Sequence, residues 1–269
     1  MSFSDGDGPV TSDSLVEPVP GSPAAVARLD SETALVVADY HAGIEIGLRY
    51  ERGVELDSNA AVRRTRLQGL LDRVGPDRLV VLGDLIHRIG EPDGAEAEEL
   101  DDLLASLPRV PITLVAGNHD GGLAARFEDD ERVTVEPTDG VRLGRVGFVH
   151  GHTWPSRAVV ESDVICVGHE HPAVRLADSV GGGRKERAWL RGPLQPAPFA
   201  AHLGVDVADL DWRKPEIVVF PAFNGRSGGT WVNVDGQGFL SPFLPDALVE
   251  AETEAYLLDG TRLGPFRSV

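Results

Sequence analysis

The sequence predicts an α/β fold, and three observations support that expectation. Short apolar runs recur at residues 34–38, 79–82, 112–115, 146–149 and 164–167. Between the earlier runs lie stretches with apolar residues at helical spacing, so strands and helices alternate. Each run also stops at small or polar residues of metal-ligating type, the pattern of parallel strands delivering their last residues to a sheet edge, where ligands of open α/β sheets bind.

Taken in order, residues 1–14 are rich in Ser, Asp and Gly and are expected to form a disordered tail, with 15–269 as one domain. Pro18, Pro20 and Pro23 punctuate an extended stretch. The run 34–38 is the first strand and ends in Asp39-Tyr40-His41. Residues 43–57 have no clean period and read as a loop with room for one helical turn. Ser58 or Asn59 can cap a helix that runs to Val74 and stops at Gly75-Pro76. Val62, Leu67, Leu70, Leu71 and Val74 form its apolar side, and Arg63, Arg64 and Arg66 are expected towards solvent. The run 79–82 is the second strand and ends in Gly83-Asp84. A second helix over about residues 95–107 carries Leu100, Leu103, Leu104 and Leu107 on one side and ends at Pro108.

The strand at 112–115 then leads through a small-residue turn into Asn118-His119-Asp120. The run 146–149 precedes His150-Gly151-His152, and 164–167 precedes Gly168-His169-Glu170-His171. Beyond this point the pattern turns to strands without clear helices, at 188–191, 217–220 and 230–234, with a hairpin around Asp259-Gly260. The glycine run 181–183 is a turn; it lacks the Lys-Ser/Thr that a phosphate-cradling loop requires.

Composition narrows the function classes. The chain of 269 residues is 42% hydrophobic, has a single cysteine and carries a formal net charge of −18. No apolar run approaches the length of a membrane span and the N-terminus has no signal pattern, so a cytoplasmic protein without membrane contact is expected. Cys166 lies in an apolar run and is expected to be buried and inert. The basic residues are almost all arginine, with lysine only at Lys185 and Lys214; acidic surplus with scarce lysine resembles proteins of salt-loving archaea. Such a surface repels polyanions, although at molar salt the Debye length falls to about 3 Å and the long-range penalty largely vanishes. Arg49, Arg52, Arg184, Lys185, Arg187 and Arg191 are candidates for a local basic rim, each also readable as an ordinary surface charge.

The chemistry concentrates at the five strand ends: Asp39 and His41, Asp84, Asn118 and His119, His150, then His169 and His171. Seven of the eight histidines fall in these stretches, counting His87 and His152. Each motif alone has a structural reading as a cap, a turn or a packed histidine; their joint placement after apolar runs does not. Carboxylates, imidazoles and an amide oxygen without thiolate suit Mn²⁺, Fe²⁺, Zn²⁺ or Ni²⁺. The candidates are too many for one ion with an open position, and fit two ions that share a bridging carboxylate.

The ordered set Asp39-x-His41, Gly83-Asp84, Gly117-Asn118-His119-Asp120, His150 and Gly168-x-His-x-His171 resembles the calcineurin-like metallophosphoesterase superfamily. The flanking context, VADYHAGIE, VLGDLIH and the late PAFN at residues 221–224, looks most like archaeal single-domain phosphoesterases related to the SbcD-type repair nucleases. The resemblance implies a four-layer sandwich of two mixed β-sheets flanked by helices. It implies two divalent ions, Mn²⁺ foremost, held by Asp39, His41 and His171 on one side and by Asn118, His150 and His169 on the other, with Asp84 bridging. His119 would face the scissile phosphate as general acid or charge stabiliser, and Asp120 would orient its ring. His87 and His152 are left open between substrate contact, support of a ligand, or neither. The implied reaction is in-line attack on a phosphodiester by a hydroxide bridging the ions, on DNA or on a nucleotide, with nuclease action of the repair type as one form. A non-catalytic binding scaffold of the same fold and a phosphatase or phosphodiesterase of small nucleotides are the competing readings. A homodimer is compatible with such a chain.

Overall fold

The structure, a computed structural model, describes residues 14–177, 182–234 and 236–269. The expected tail falls outside the described residues except for Ser14, and so does Gly181 of the glycine turn.

Among the described residues the strands form two sheets. The first has six strands side by side in chain order: β1 (Val16–Pro18), β2 (Ala24–Leu29), β3 (Glu32–Ala38), β4 (Arg78–Leu82), β5 (Ile112–Val115) and β6 (Val133–Glu136). Its first three strands run antiparallel, and β3 to β6 run parallel. The second sheet has eight strands, β7 (Val141–Leu143), β8 (Val146–Val149), β9 (Val164–Val167), β10 (Ala173–Ala177), β11 (Gly183–Pro193), β12 (Glu216–Val219), β13 (Glu254–Leu257) and β14 (Arg262–Pro265). Their order is β14-β13-β11-β12-β9-β8-β7, with β10 paired to β11; only β8-β9-β12 are parallel neighbours. The helices are α1 (Ile44–Arg52), α2 (Ala60–Val74), α3 (Gly94–Ser106), α4 (Leu123–Arg126), α5 (Arg157–Val160) and α6 (Ala197–Leu203).

The layering follows from alternation along each strand. Ala34, Val36, Ala38, Val80 and Leu82 face Phe148, Val164, Cys166, Trp189 and Val218 of the other sheet, forming the inter-sheet core. Leu35, Val37, Leu79 and Val81 point the other way, onto Leu67, Leu70 and Leu71 of α2 and Leu100, Leu103 and Leu104 of α3. Ile165, Val167, Ile217 and Val219 likewise pack outward against Val159, Phe199 and Phe243. The expected four-layer, two-sheet architecture is therefore what forms. Cys166 is fully buried, and burial pushes its thiol pKa up, which keeps it unreactive.

Several local expectations are corrected. Residues 43–57 were expected to form a loop with room for one helical turn, but Ile44–Arg52 is a helix of nine residues. It closes on Gly53 in the left-handed region. Tertiary contacts stabilise it, because Glu45 near its start is held by an arginine of α2. That arginine is Arg63, expected in solvent and in fact buried: it donates to Glu45 (2.5 and 2.9 Å) and to Glu99 (2.6 and 3.2 Å). Arg64 does reach outward to Asp102 (2.8 Å), whereas Arg66 lies half-buried over the Phe223 ring. The stretch 230–234 forms no strand, only a bridge from Trp231 to Ala173. The Asn233 side chain takes the place of a ladder there, accepting from the Arg175 amide and donating to its carbonyl, both at 2.9 Å. The late chain also holds helix α6, whose Ala-rich sequence begins at prolines and buries Phe199 and Ala200. The proline-punctuated start is extended as expected and pairs into the sheet: Pro18 ends β1, the edge strand, where proline is tolerated, and Pro20 and Pro23 lie in the connection to β2.

Candidate metal centre

The carboxyl ends of β3, β4, β5, β8 and β9 converge, and every ligand-type residue singled out in the sequence lies just beyond one of them. The backbone turns sharply there. Asp39, His41, Asp84, His169 and His171 all have positive φ, between 44° and 63°, which Asp and His adopt more readily than most residues yet still at a cost. Five strained residues on three loops, all facing one point, indicate that the surroundings over-determine the arrangement.

Glycines make the close approach feasible. A Cβ on Gly117 would lie 2.2 Å from the Asp84 carboxylate, and one on Gly83 would lie 2.3 Å from the His150 ring. Gly83 also has φ of +70°.

Two groups of potential ligands result. Asp39, His41 and His171 place their donor atoms within 4.8 Å of one another, and so do Asp84, His150 and His169. Asn118 Oδ1 lies 3.2 Å from His150 Nε2, on the side of the second group. Asp84 reaches both: its carboxylate is 3.4 Å from His150 Nε2 and 3.9 Å from His41 Nε2. A third group, His41, His87 and His119, adjoins the first. His87 fits against α1 because residue 47 is glycine, where a Cβ would lie 2.2 Å from the imidazole.

Backbone groups hold these side chains in ligand-ready states. The Leu82 carbonyl can only accept, so His150 Nδ1 carries a proton towards it (2.8 Å) and Nε2 presents its lone pair. The His169 amide donates to both oxygens of Asp39 (3.1 and 3.3 Å), and the His119 amide donates to Asp84 (3.1 Å). Burial alone would raise the Asp39 carboxyl, but the imidazoles of His171, His150 and His41 outweigh it and hold the pKa at about 2. Burial, helped by the Asp39 charge, raises Asp84. Burial and the neighbouring His150 push His169 down to about 3 and His152 to about 4. Burial likewise lowers His41. Burial would lower His171 too, but the Asp39 carboxylate 3.1 Å away outweighs it and raises it, so His171 has a proton to give up where a cation binds. The charged Asp39, the neutral His41 and His169, and the N/O donor set without thiolate fit a divalent cation.

One expected contact is corrected. Asp120 was expected to orient the His119 ring, but both its oxygens serve the backbone. Oδ1 accepts from the Leu85 and Ile86 amides (2.9 and 3.4 Å), and Oδ2 accepts from the Gly117 amide (2.9 Å). Asp120 thus ties the loop after β5 to the loop after β4. Burial and the Asp84 charge push its carboxyl up to about 6 despite these donors. The partner of His119 Nδ1 is instead the His87 carbonyl. This fixes the tautomer and turns Nε2 towards Asp84 Oδ2, 3.7 Å away. His152 packs beside His150 and His169, with ring centroids 5.3 and 6.0 Å away.

Two residues that sequence reasoning passed over support the site. Glu170, fully buried, accepts from the Leu240 and Ser241 amides (2.6 to 3.0 Å) and anchors the segment that roofs the centre. Its signal was a carboxylate between two histidines. Asn224 of the PAFN stretch donates to the Tyr40 and His41 carbonyls (3.1 and 3.3 Å), bracing the loop that carries His41. A cavity of about 500 Å³ opens over the centre, walled by His41, His87, His119 and His171 together with Arg52 and Arg226.

The comparisons with known proteins agree with this layout. Among solved structures, the fold resembles the Pseudomonas putida nuclease MPE at 18% identity and a TM-score of 0.50, over 92% of this chain and 100% of that one. It also matches Yfce, a phosphoesterase from E. coli, at 14% identity and a TM-score of 0.36, over 86% of this chain and 96% of that one. The first likeness shows a shared fold. A comparison with curated proteins finds no match. The calcineurin-like phosphoesterase family matches residues 33–208, the stretch that carries every converging strand end. The chain is thus a member of the calcineurin-like phosphoesterase family, whose enzymes are metal-dependent hydrolases.

Proposed function

We propose that this protein is a phosphodiesterase that works with two divalent ions. The observation that carries the reading is the pair of ligand groups meeting at Asp84: Asp39, His41 and His171 on one side, His150, His169 and Asn118 on the other. When bound, a pair of divalent ions would lower the pKa of a water towards neutrality and neutralise phosphate charge. Mn²⁺ suits this donor set, as do Fe²⁺, Zn²⁺ and Ni²⁺.

The chain's own residues would supply positioning and proton handling. Asp84 would join the two halves of the centre. Arg52 and Arg226 on the cavity wall would meet the phosphate oxygens left uncovered. His119 would handle the proton of the leaving oxygen. Its Nδ1 proton is committed to the His87 carbonyl, so Nε2 is the atom left to give or take one. His87, stacked on His119 with ring centroids 5.7 Å apart, would support that ring and narrow the cavity. Asp120 would hold the loop rather than act on the proton. Nucleic acid strands and nucleotides both present the required diester, and nuclease action is the form that the Pseudomonas putida likeness favours.

The test is hydrolysis of a bis-aryl phosphodiester, with metal content measured in parallel. His119→Ala should keep its metal and lose about 10²–10⁴-fold in turnover, the usual worth of a positioned acid. Asp84→Asn should lose metal and activity together. An Asp84→Asn variant with full activity would refute the two-ion reading.

A further inference from the structure

A second cavity, of about 230 Å³, adjoins the one over the metal centre, and the two share His171, Ser227 and Gly228 as a common wall. Lys185, Glu186 and Arg187 of β11 line its other side. Its volume is several times the share of a water molecule in the liquid, about 30 Å³, so a phosphate group fits.

Of the six candidates for a basic rim, Arg49, Arg184 and Arg191 pair with Glu55, Glu186 and Glu216. Arg187 has no carboxylate within ion-pair distance among the described residues; it spends one nitrogen on the Ala222 carbonyl (2.8 Å) and is half-buried. Lys185 stands at the mouth with its ammonium over the Trp231 ring. Arg66, over Phe223, also lacks an acidic partner among the described residues and lies close enough to repel Arg187. Burial and the neighbouring Arg66 bring the Arg187 guanidinium down to about 10, and burial with Arg187 lowers Lys185. The acid that lines the cavity, Glu186, is engaged by Arg184 (3.3 Å). The Ser227 hydroxyl, on the shared wall, is buried without a hydrogen-bond partner. Residue 229 is glycine, and a Cβ there would lie 2.7 Å from the His171 carbonyl and 3.0 Å from the Lys185 ammonium. Glu186 also attracts Arg187, but it is shared with Arg184, so the cations outnumber the acid that lines the cavity, and an anion would balance them and satisfy the hydroxyl.

The geometry points to an anion subsite formed by Lys185, Arg187 and Ser227 that takes a second phosphate of the substrate, covalently linked to the one at the metal centre. The assignment rests on the phosphodiesterase reading above and narrows it: the substrate is a phosphodiester that carries a further phosphate one unit away. Lys185 and Arg187 supply charge-assisted donors, and the Ser227 hydroxyl supplies a neutral one.

The experiment compares kcat/KM, at matched ionic strength, for a dinucleotide with a 5′- or 3′-terminal phosphate and for the same dinucleotide without it, alongside a bis-aryl phosphodiester. One phosphorylated form should exceed the bare dinucleotide about tenfold or more, from the strength of charge-assisted hydrogen bonds. In Lys185→Gln that ratio should collapse towards one, while Arg187→Lys, which keeps the charge, should retain part of it. Calorimetric binding of the phosphorylated dinucleotide to metal-stripped protein should weaken in the same order. Turnover of all diesters with equal kcat/KM overturns the subsite and leaves the phosphodiesterase reading standing. Absence of any diester turnover overturns that reading, and the calorimetry then decides the subsite by itself. Equal binding of both dinucleotides overturns the subsite.

Discussion

Replacing Arg63 by methionine is the most direct test of what holds the wall of the site. Arg63 sits between Glu45 of α1 and Glu99 of α3, all three nine-tenths buried or more. Its guanidinium makes two bonds to each carboxylate, from 2.5 to 3.2 Å. Removing it leaves two buried carboxylates facing each other, a change that costs about 3–5 kcal/mol in comparable buried pairs. Two contacts soften the loss: Arg226 stays within 3.2 Å of Glu45, and the Gly43 amide still donates to Glu99 (2.8 Å). The expected cost is therefore near the lower end, about 3 kcal/mol, a large fraction of the about 5–15 kcal/mol that stabilises a typical domain. Urea unfolding at pH 7 gives the value directly. The triple variant Glu45→Gln/Arg63→Met/Glu99→Gln, which removes the stranded charges, should recover part of it. A loss below about 1 kcal/mol for Arg63→Met, the range of a surface pair, would refute the reasoning.

The same group carries a pH signature. Burial would raise the Glu45 carboxyl, but Arg63 outweighs it and leaves it lowered. A lowered folded pKa means that the stabilisation is fully present above the ordinary glutamate value, 4.5, and fades as pH falls through the lower folded value. The stability gap between wild type and Arg63→Met should therefore narrow in acid. Function should follow, because α1 brings Ile44, Leu48 and Arg52 to the main cavity.

Further outcomes are expected. Gly117→Ala places a methyl 2.2 Å from the Asp84 carboxylate and should strip metal while leaving much of the secondary structure, as read by metal analysis and circular dichroism. Asp120→Asn replaces one of two accepting oxygens with an NH2 donor that faces a backbone N–H, and should cost about 1–3 kcal/mol, without the change in the pH profile of kcat that a ring-orienting carboxylate would cause. With a net charge of −18, the melting temperature should rise from low salt to molar KCl as self-repulsion is screened within about 3 Å. Gln at Glu170 removes the charge that three donor contacts engage, and should raise KM more than it lowers metal content.

Much of the site was legible because its residues terminate buried parallel strands. Four-residue runs such as 112–115 and 164–167, rich in β-branched and aliphatic residues and ending in small or polar ones, read as short strands, and both strands form over those residues. The ligand-type residues follow those ends directly, so local sequence placed Asp39, Asp84, Asn118, His150 and His169 beside one another. The hairpin around Asp259-Gly260 was equally local, and β13 and β14 pair across it.

What stayed hidden depends on partners far along the chain. Helix α1 is short, contains Gly47 and has no side-chain cap, and its start is held by Arg63 eighteen residues later; Arg63 in turn reads as a solvated charge until Glu45 and Glu99 enclose it. Asp120 follows His119 in sequence, yet its oxygens are claimed by amides of Leu85, Ile86 and Gly117, and the His119 ring by the His87 carbonyl. Lys185 and Arg187 look like any surface cations until the fold sets them beside His171, away from free carboxylates. The sequence by itself determined where the ligand-bearing strands end, because burial and alternation are written residue by residue. The tertiary structure alone decided which side chain each ligand leans on and which charges go unanswered, because hydrogen bonds and ion pairs depend on distances in space that chain order does not encode.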